Sequence, residues 1–299
     1  MPMVIERKPE WLKVNLFPHS QTYLDLRTQL KERKLATVCE EARCPNLGEC
    51  WSAKTATVMI LGDTCTRACR FCHVKTGNPH GFVDASEIEH TLEMAKLMSL
   101  RYIVITSVDR DDLPDHGSSH FANVVSRLRQ ELPELKIETL VPDFDGVPEH
   151  LHTLALSRPF VIAQNIETVK RLTQFVRDRR AGYQKTLTAL QFYKQYYPEI
   201  HTKSSLMLGL GESQQEVLEC MDDLRKHGVD ILTLGQYLRP TARHLAVDRY
   251  YHPDEFEHLK EQAYARGFRF VASGPLVRSS YKAADYLTFL EGQNAVTLN

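Results

Sequence analysis

The sequence predicts an α/β fold built on parallel strands, and two features carry that reading. From Thr57 onward, short runs rich in Ile, Val and Leu alternate with longer amphipathic stretches, six times in succession. The short runs lack strict apolar–polar alternation, as strands buried on both faces do. Six such units imply helical crossovers between parallel strands. An open doubly wound sheet and a barrel both satisfy the pattern.

In chain order, residues 1–20 carry prolines at 2, 9 and 18 and little periodicity, which suits an extended arm. Gln21–Leu35 places Tyr23, Leu24, Leu26, Leu30 and Leu35 among charges, the spacing of an amphipathic helix. The candidate strands are Thr57–Leu61, Tyr102–Thr106, Lys136–Leu140, Phe160–Gln164, Ser204–Leu208 and Asp230–Leu234. Phe268–Ala272 is a candidate for a seventh. The helices are Ser86–Leu100, Phe121–Leu132, Glu149–Leu156, Thr186–Tyr197, Ser213–His227 and Pro253–Arg266. Ser86 with Glu89, and Ser213 with Glu216, fit capping boxes at helix starts. There is no internal repeat or domain-sized linker.

The 299 residues allow a large core, and 42% hydrophobic with 25% charged residues is ordinary for a globular chain. A net charge of −1 gives no bulk attraction to nucleic acid or an anionic membrane. No apolar run is long enough to span a bilayer. Met1 to Trp11 lacks an apolar signal core and carries Glu6 and Glu10, so it reads as neither a secretory nor a transit peptide.

Six of the seven cysteines fall between Cys39 and Cys72. Cys39, Cys44 and Cys50 are spaced C-x4-C-x5-C, and Cys65, Cys69 and Cys72 are spaced C-x3-C-x2-C. Structural zinc takes four ligands, and neither triplet has a fourth cysteine nearby, although His73 adjoins the second. Crowding into one stretch of a long chain argues against a disulfide framework. Each triplet suits an iron–sulfur cluster, whose irons take soft thiolates and here keep one position for another ligand. Arg67 and Arg70, inside the second triplet, stand where they could lower the thiolate pKa values. Clustered thiols need a reducing compartment, which points to the cytoplasm. Cys220, within a helix, reads as a small core residue.

Cys65-x3-Cys69-x2-Cys72, with Phe71 before the last cysteine, resembles the signature of radical S-adenosylmethionine enzymes. Cys39-x4-Cys44-x5-Cys50 resembles the auxiliary-cluster motif of the lipoyl synthases, and Arg278-Ser279-Ser280-Tyr281 resembles their C-terminal motif. The likeness runs from about Trp11 to Tyr281 and decides for a partial (β/α)6 TIM-like barrel. It implies an N-terminal extension over residues 1–56, a barrel over 57–266 and a C-terminal extension over 267–299. It also implies two [4Fe-4S] clusters. One, on Cys65, Cys69 and Cys72, would bind and cleave S-adenosylmethionine, giving a radical that takes hydrogen from a protein-bound octanoyl chain. The other, on Cys39, Cys44, Cys50 and Ser280, would donate sulfur at carbons 6 and 8. Ser279 is the alternative oxygen ligand. The implied partners are an octanoylated lipoyl carrier, such as the glycine cleavage H protein or an E2 lipoyl domain, and an electron donor such as ferredoxin or flavodoxin.

In parallel α/β folds function gathers at the carboxyl ends of the strands. Thr106, Ser107, Glu138, Asn165, Glu167, Gly209 and Glu212 lie at or near such ends and are candidates to hold S-adenosylmethionine. Thr106 and Ser107 would serve its methionyl end, Asn165 and Glu167 its ribose or sulfonium, and the Gly209–Glu212 turn its adenine. Arg177, Arg179 and Arg180 form a basic patch, either a solvated turn or a docking point for an acidic carrier. Arg239, Ala246 and Lys282 stand where the family commonly has glutamine, proline and histidine.

Overall fold

The computed structural model describes residues 8–13, 28, 50, 51, 54–281 and 283–290. The helix expected over residues 21–35 lies outside them apart from Thr28, and so do Cys39, Cys44 and Lys282. The elements are β1 (Thr55–Ile60), β2 (Thr64–Cys65), β3 (Lys75–Thr76), α1 (Glu87–Leu97), β4 (Tyr102–Ser107), α2 (Ser118–Glu131), β5 (Lys136–Leu140), α3 (Pro148–Leu156) and β6 (Val161–Ala163). There follow α4 (Thr173–Val176), α5 (Tyr183–Tyr196), β7 (His201–Leu208), α6 (Gln214–Lys226), β8 (Ile231–Gln236), α7 (Pro253–Ala265) and β9 (Phe270–Gly274).

Seven strands form one parallel sheet in the order β1-β4-β5-β6-β7-β8-β9. A doubly wound sheet reverses direction at a switch point. Here spatial order follows chain order throughout, which leaves the barrel. The first and last strands do not pair, so the barrel keeps a seam. The strand suspected at Phe268–Ala272 is real and becomes β9.

Alternate residues of each strand face opposite sides. Ile103 and Ile105 pack outward with Val124 and Leu128 of α2. Tyr102 and Val104 face inward, against Ala283 of the chain's last described stretch. Farther on, Tyr286 packs with Val161 and Ile231, and its hydroxyl lies 3.1 Å from His201 Nδ1. Tyr102, Val161, His201 and Ile231 each begin a strand. The C-terminal stretch therefore fills the amino end of the barrel.

The capping box at α6 forms as expected. Glu216 N donates to Ser213 Oγ (3.3 Å) and Ser213 N donates to the Glu216 carboxylate (2.9 Å). The box expected at Ser86 does not form. Ser86 is already helical, its hydroxyl donates to Asp84 (2.6 Å), and Glu89 pairs instead with Arg127 (2.7 Å). Asp84 takes the Ser86 N–H as well (2.9 Å), so an aspartate turn caps α1 where the serine was expected to.

Candidate functional site

The second cysteine triplet rides on a loop braced at both ends. β1 leaves through a left-handed turn at Leu61 (φ 66°) and Gly62 (φ 84°). The Glu87 carboxylate accepts both N–H groups of that turn, at 2.8 and 3.0 Å. The buried Arg110 donates to Leu61 O (3.1 Å) while Asp112 holds its guanidinium. The other brace is Arg67, within the triplet. Its guanidinium grips Asp143 through two bonds, at 2.9 and 2.8 Å. It also meets Asp111 at 2.8 Å and Asp109 at 3.2 Å. The loop's far side is tied by Asp178, which accepts Ala68 N (2.9 Å) and donates its own N–H to Cys69 Sγ (3.2 Å). His244 Nε2 lies 3.0 Å from Cys72 O.

These ties aim all three cysteines into one cavity of about 270 Å³ at the carboxyl ends of the strands. Thr106, Ser107, Asn165 and Glu167 line it, and so do Ser279 and Ser280. A second cavity of about 280 Å³ shares Phe71, Asn165, Glu167 and Ser279 with the first, and runs on to Gln236 and Tyr237. Cys50 is described and half-buried but lines neither cavity.

Three candidates do not join the others. Glu138 is locked inside the barrel, with Lys203 Nζ at 2.7 Å and the Tyr102 hydroxyl donating to it at 2.9 Å. Glu212 folds back on its own turn, accepting the N–H groups of Gly209 (2.6 Å) and Leu210 (2.9 Å). Gly209 has φ 99°, and a Cβ there would collide with Gln236 Nε2 and Arg249 O. Gly209 and Glu212 thus shape the turn behind Gln236 and line neither cavity.

Burial pushes the thiols of Cys65, Cys69 and Cys72 each up to about 11. Asp109 raises all three further. The expected help from the side-chain charges of Arg67 and Arg70 does not reach them, although the Arg67 N–H favours the Cys65 thiolate. Arg67 is engaged by three carboxylates, and Arg70 lies over the Phe175 ring, 4.2 Å from its centroid. Arg177, expected on a surface patch, lines the cavity and is the arginine that favours the Cys69 thiolate. Burial likewise lifts Asp109 to about 6 and raises Glu167.

A group that takes protons from the thiols and bonds to sulfur fits this cavity, as a metal cluster does. The Arg67 and Asp178 N–H groups already point at Cys65 Sγ (3.4 Å) and Cys69 Sγ (3.2 Å). The lining also holds buried polar atoms without a hydrogen-bond partner: Ser107 Oγ, Asn165 Oδ1 and both amide atoms of Gln164. Unpaired buried groups of this kind suit a polar ligand. Gln164, Asp109, Asp143 and Arg177 were not singled out for this cavity from sequence. Gln164, Asp109 and Asp143 each follow a strand by three residues or fewer, a signal that many other polar residues share, whereas Arg177 follows helix α4 and carried no such signal.

The family model of the radical SAM superfamily matches residues 59–233, more than half of the chain. Among solved structures, methylornithine synthase superposes with a TM-score of 0.55 at 14% identity, covering 90% of this chain and 88% of that one. SuiB of Streptococcus suis gives a TM-score of 0.56 at 13% identity, covering 85% and 53%. These two establish the fold, and the superfamily match makes the chain a radical S-adenosylmethionine protein. The model for the N-terminal domain of lipoyl synthase matches residues 4–44. Lipoyl synthase of Marinobacter nauticus is 55% identical, covering 93% of this chain and 80% of that protein. That of Myxococcus xanthus is 54% identical, covering 96% and 95%. The chain belongs to the lipoyl synthase family. With that membership come the family's enzyme class, sulfurtransferase, and its cofactors, S-adenosylmethionine and [4Fe-4S] clusters. Among the described residues no helix is long and apolar enough to cross a membrane.

Proposed function

We propose that this chain inserts two sulfur atoms, at carbons 6 and 8, into an octanoyl group amide-linked to a lysine of a carrier protein. Cys65, Cys69 and Cys72 hold the cluster that binds S-adenosylmethionine. Cys39, Cys44, Cys50 and Ser280 hold the sulfur-donating cluster, with Ser279 the alternative oxygen ligand. When bound, these groups supply the electron, the hydrogen-abstracting radical and the sulfur. The chain's residues orient, exclude water and set charge. Thr106, Ser107, Asn165 and Glu167 contact S-adenosylmethionine, and Phe71 with Tyr237 walls the second cavity beside it. Arg177 offsets negative charge next to Cys69. A serine oxygen is a harder ligand than thiolate and releases iron more readily, which suits a cluster that is consumed.

One observation carries the reading. The three thiols and the two C-terminal serines, more than 200 residues apart in sequence, line one cavity. This supports bringing both reaction centres to one alkyl chain, the proximity that the chemistry demands. The carrier is the glycine cleavage H protein or an E2 lipoyl domain, and the electrons come from a ferredoxin or flavodoxin. The test is anaerobic turnover of an octanoyl-lysine peptide, read by mass. Gain of two sulfurs is expected. Cleavage of S-adenosylmethionine without sulfur gain would assign the chain another reaction.

A further inference from the structure

We propose that the rim around the cysteine loop is a cationic docking face for an acidic surface of the protein that carries the substrate chain. The proposal rests on the functional reading above and names the partner's chemistry at that site. Three segments meet at this rim. Phe175 to Arg180 packs on the loop through Arg70, whose guanidinium donates to Phe175 O (3.3 Å). The stretch from Arg239 to Leu245 packs on its other side, with Leu245 N donating to Arg70 O (3.3 Å) and His244 beside Cys72 O (3.0 Å).

Four arginines of these segments, Arg70, Arg179, Arg239 and Arg243, pair with no carboxylate among the described residues. Arg239 braces its own loop through the carbonyls of Ala242 and His244, so its charge stays uncompensated. Arg70, Arg179 and Arg243 are exposed. Two of the three acids nearby in sequence are already engaged, and Asp248 is the third. Asp178 is held by Arg180 (2.9 Å) and Asp111 by Arg67 (2.8 Å), while Asp248 sits beside the Gly211 turn. Elsewhere, Arg127 and Arg266 each hold an acid, at 2.7 and 2.8 Å. The whole chain carries a net charge of −1, so this positive rim is a local feature. Phe175, 52% exposed under the Arg70 guanidinium, adds an aromatic–arginine knob of the kind that anchors interfaces.

A rim of this sign steers an acidic domain and turns its modified lysine toward the cavity, and salt screens the attraction. The test compares a folded, octanoylated acidic carrier domain with a net-neutral octanoyl-lysine peptide. The double reversal Arg179→Glu/Arg243→Glu is expected to raise KM for the domain by about tenfold. KM for the peptide should move less than about twofold. The reversal Lys226→Glu, at the end of α6, should move neither. On the unmodified chain, raising salt from about 0.05 to about 0.5 M should raise KM for the domain and leave the peptide's in place. Parallel shifts for both substrates, or a salt-independent KM for the domain, would overturn the docking face. Failure of the unmodified chain to add sulfur to the peptide would overturn the functional reading, and the docking face with it.

Discussion

Replacing Arg67 by Met tests whether the cysteine loop is held by charge. Arg67 is 4% exposed, and Asp143, which receives two of its bonds, is 2% exposed. Burial opposes a charged arginine, yet the hydrogen bonds to Asp143 and Asp111 hold this one firmly protonated. Deleting one partner of a buried pair leaves the other charge stranded, at a cost of about 3–5 kcal/mol. For a chain of this size that lowers the melting temperature by about 5–8 °C. The loss falls on the loop that carries Cys65, Cys69 and Cys72, so iron bound after anaerobic reconstitution should drop as well. Arg67→Lys keeps the charge but not the two-pronged geometry, and should fall between. Arg67→Met combined with Asp143→Asn removes both charges and should recover part of the stability. The assay is anaerobic thermal unfolding by circular dichroism, with iron counted per chain. If Arg67→Met melts within about 2 °C of the parent, or the second substitution recovers nothing, the loop is held by something else.

Other outcomes follow from the same geometry. Alanine at Cys65, Cys69 or Cys72 should abolish S-adenosylmethionine cleavage. Alanine at Cys50 or Ser280 should leave methionine release and eliminate sulfur insertion, both read by mass spectrometry. If both groups of variants lose the same step, the division of labour is wrong. Gly235→Ala should cost about 1–3 kcal/mol, measured by thermal unfolding, because its Cβ would collide with Val277 O and push the Arg278–Ser280 segment. Burial lowers the His201 pKa from its ordinary value near 6.5. The unfolded chain then binds a proton that the folded chain refuses, so stability is present above pH 6.5 and is lost as pH falls through 6.5 toward the folded pKa. His201→Gln should flatten the decline in melting temperature below about pH 6.5, and an unchanged slope would refute that assignment.

The barrel was legible because each strand is an apolar run bounded by polar turns. Lys136–Leu140 has the bounds read from sequence, and the others shift by a few residues. Strand order was not legible, since alternation serves a barrel and a doubly wound sheet equally. The thiols declared themselves by spacing. Their electrostatics did not, because adjacency in sequence says nothing about direction. Arg67, two residues from Cys65, points to Asp143, 76 residues away. Arg177 looked like a surface cation and faces Cys69. Glu138 sits where a strand-end contact was expected, but an ion pair with Lys203 claims it. That partner comes from β7, and pattern alone cannot pair residues across a barrel.

The C-terminal stretch links the two ends of this architecture. The barrel's first and last strands leave a seam, and an open barrel exposes the inner faces of its strands. Ala283 covers Tyr102 and Val104, and Tyr286 covers Val161 and Ile231, all on inner faces toward the amino end. A few residues earlier the same stretch presents Ser279 and Ser280 to the cavity at the carboxyl end. The six residues from Ser280 to Tyr286 span at most about 20 Å. With Tyr286 buried to 2% exposure among Phe160, Phe270 and Phe289, the serines are tethered within that reach. Under the proposed role of Ser280, an oxygen ligand on such a tether that leaves iron stays within that distance of the site. Floor packing and the position of Ser279 and Ser280 are therefore linked through the same aromatic residues.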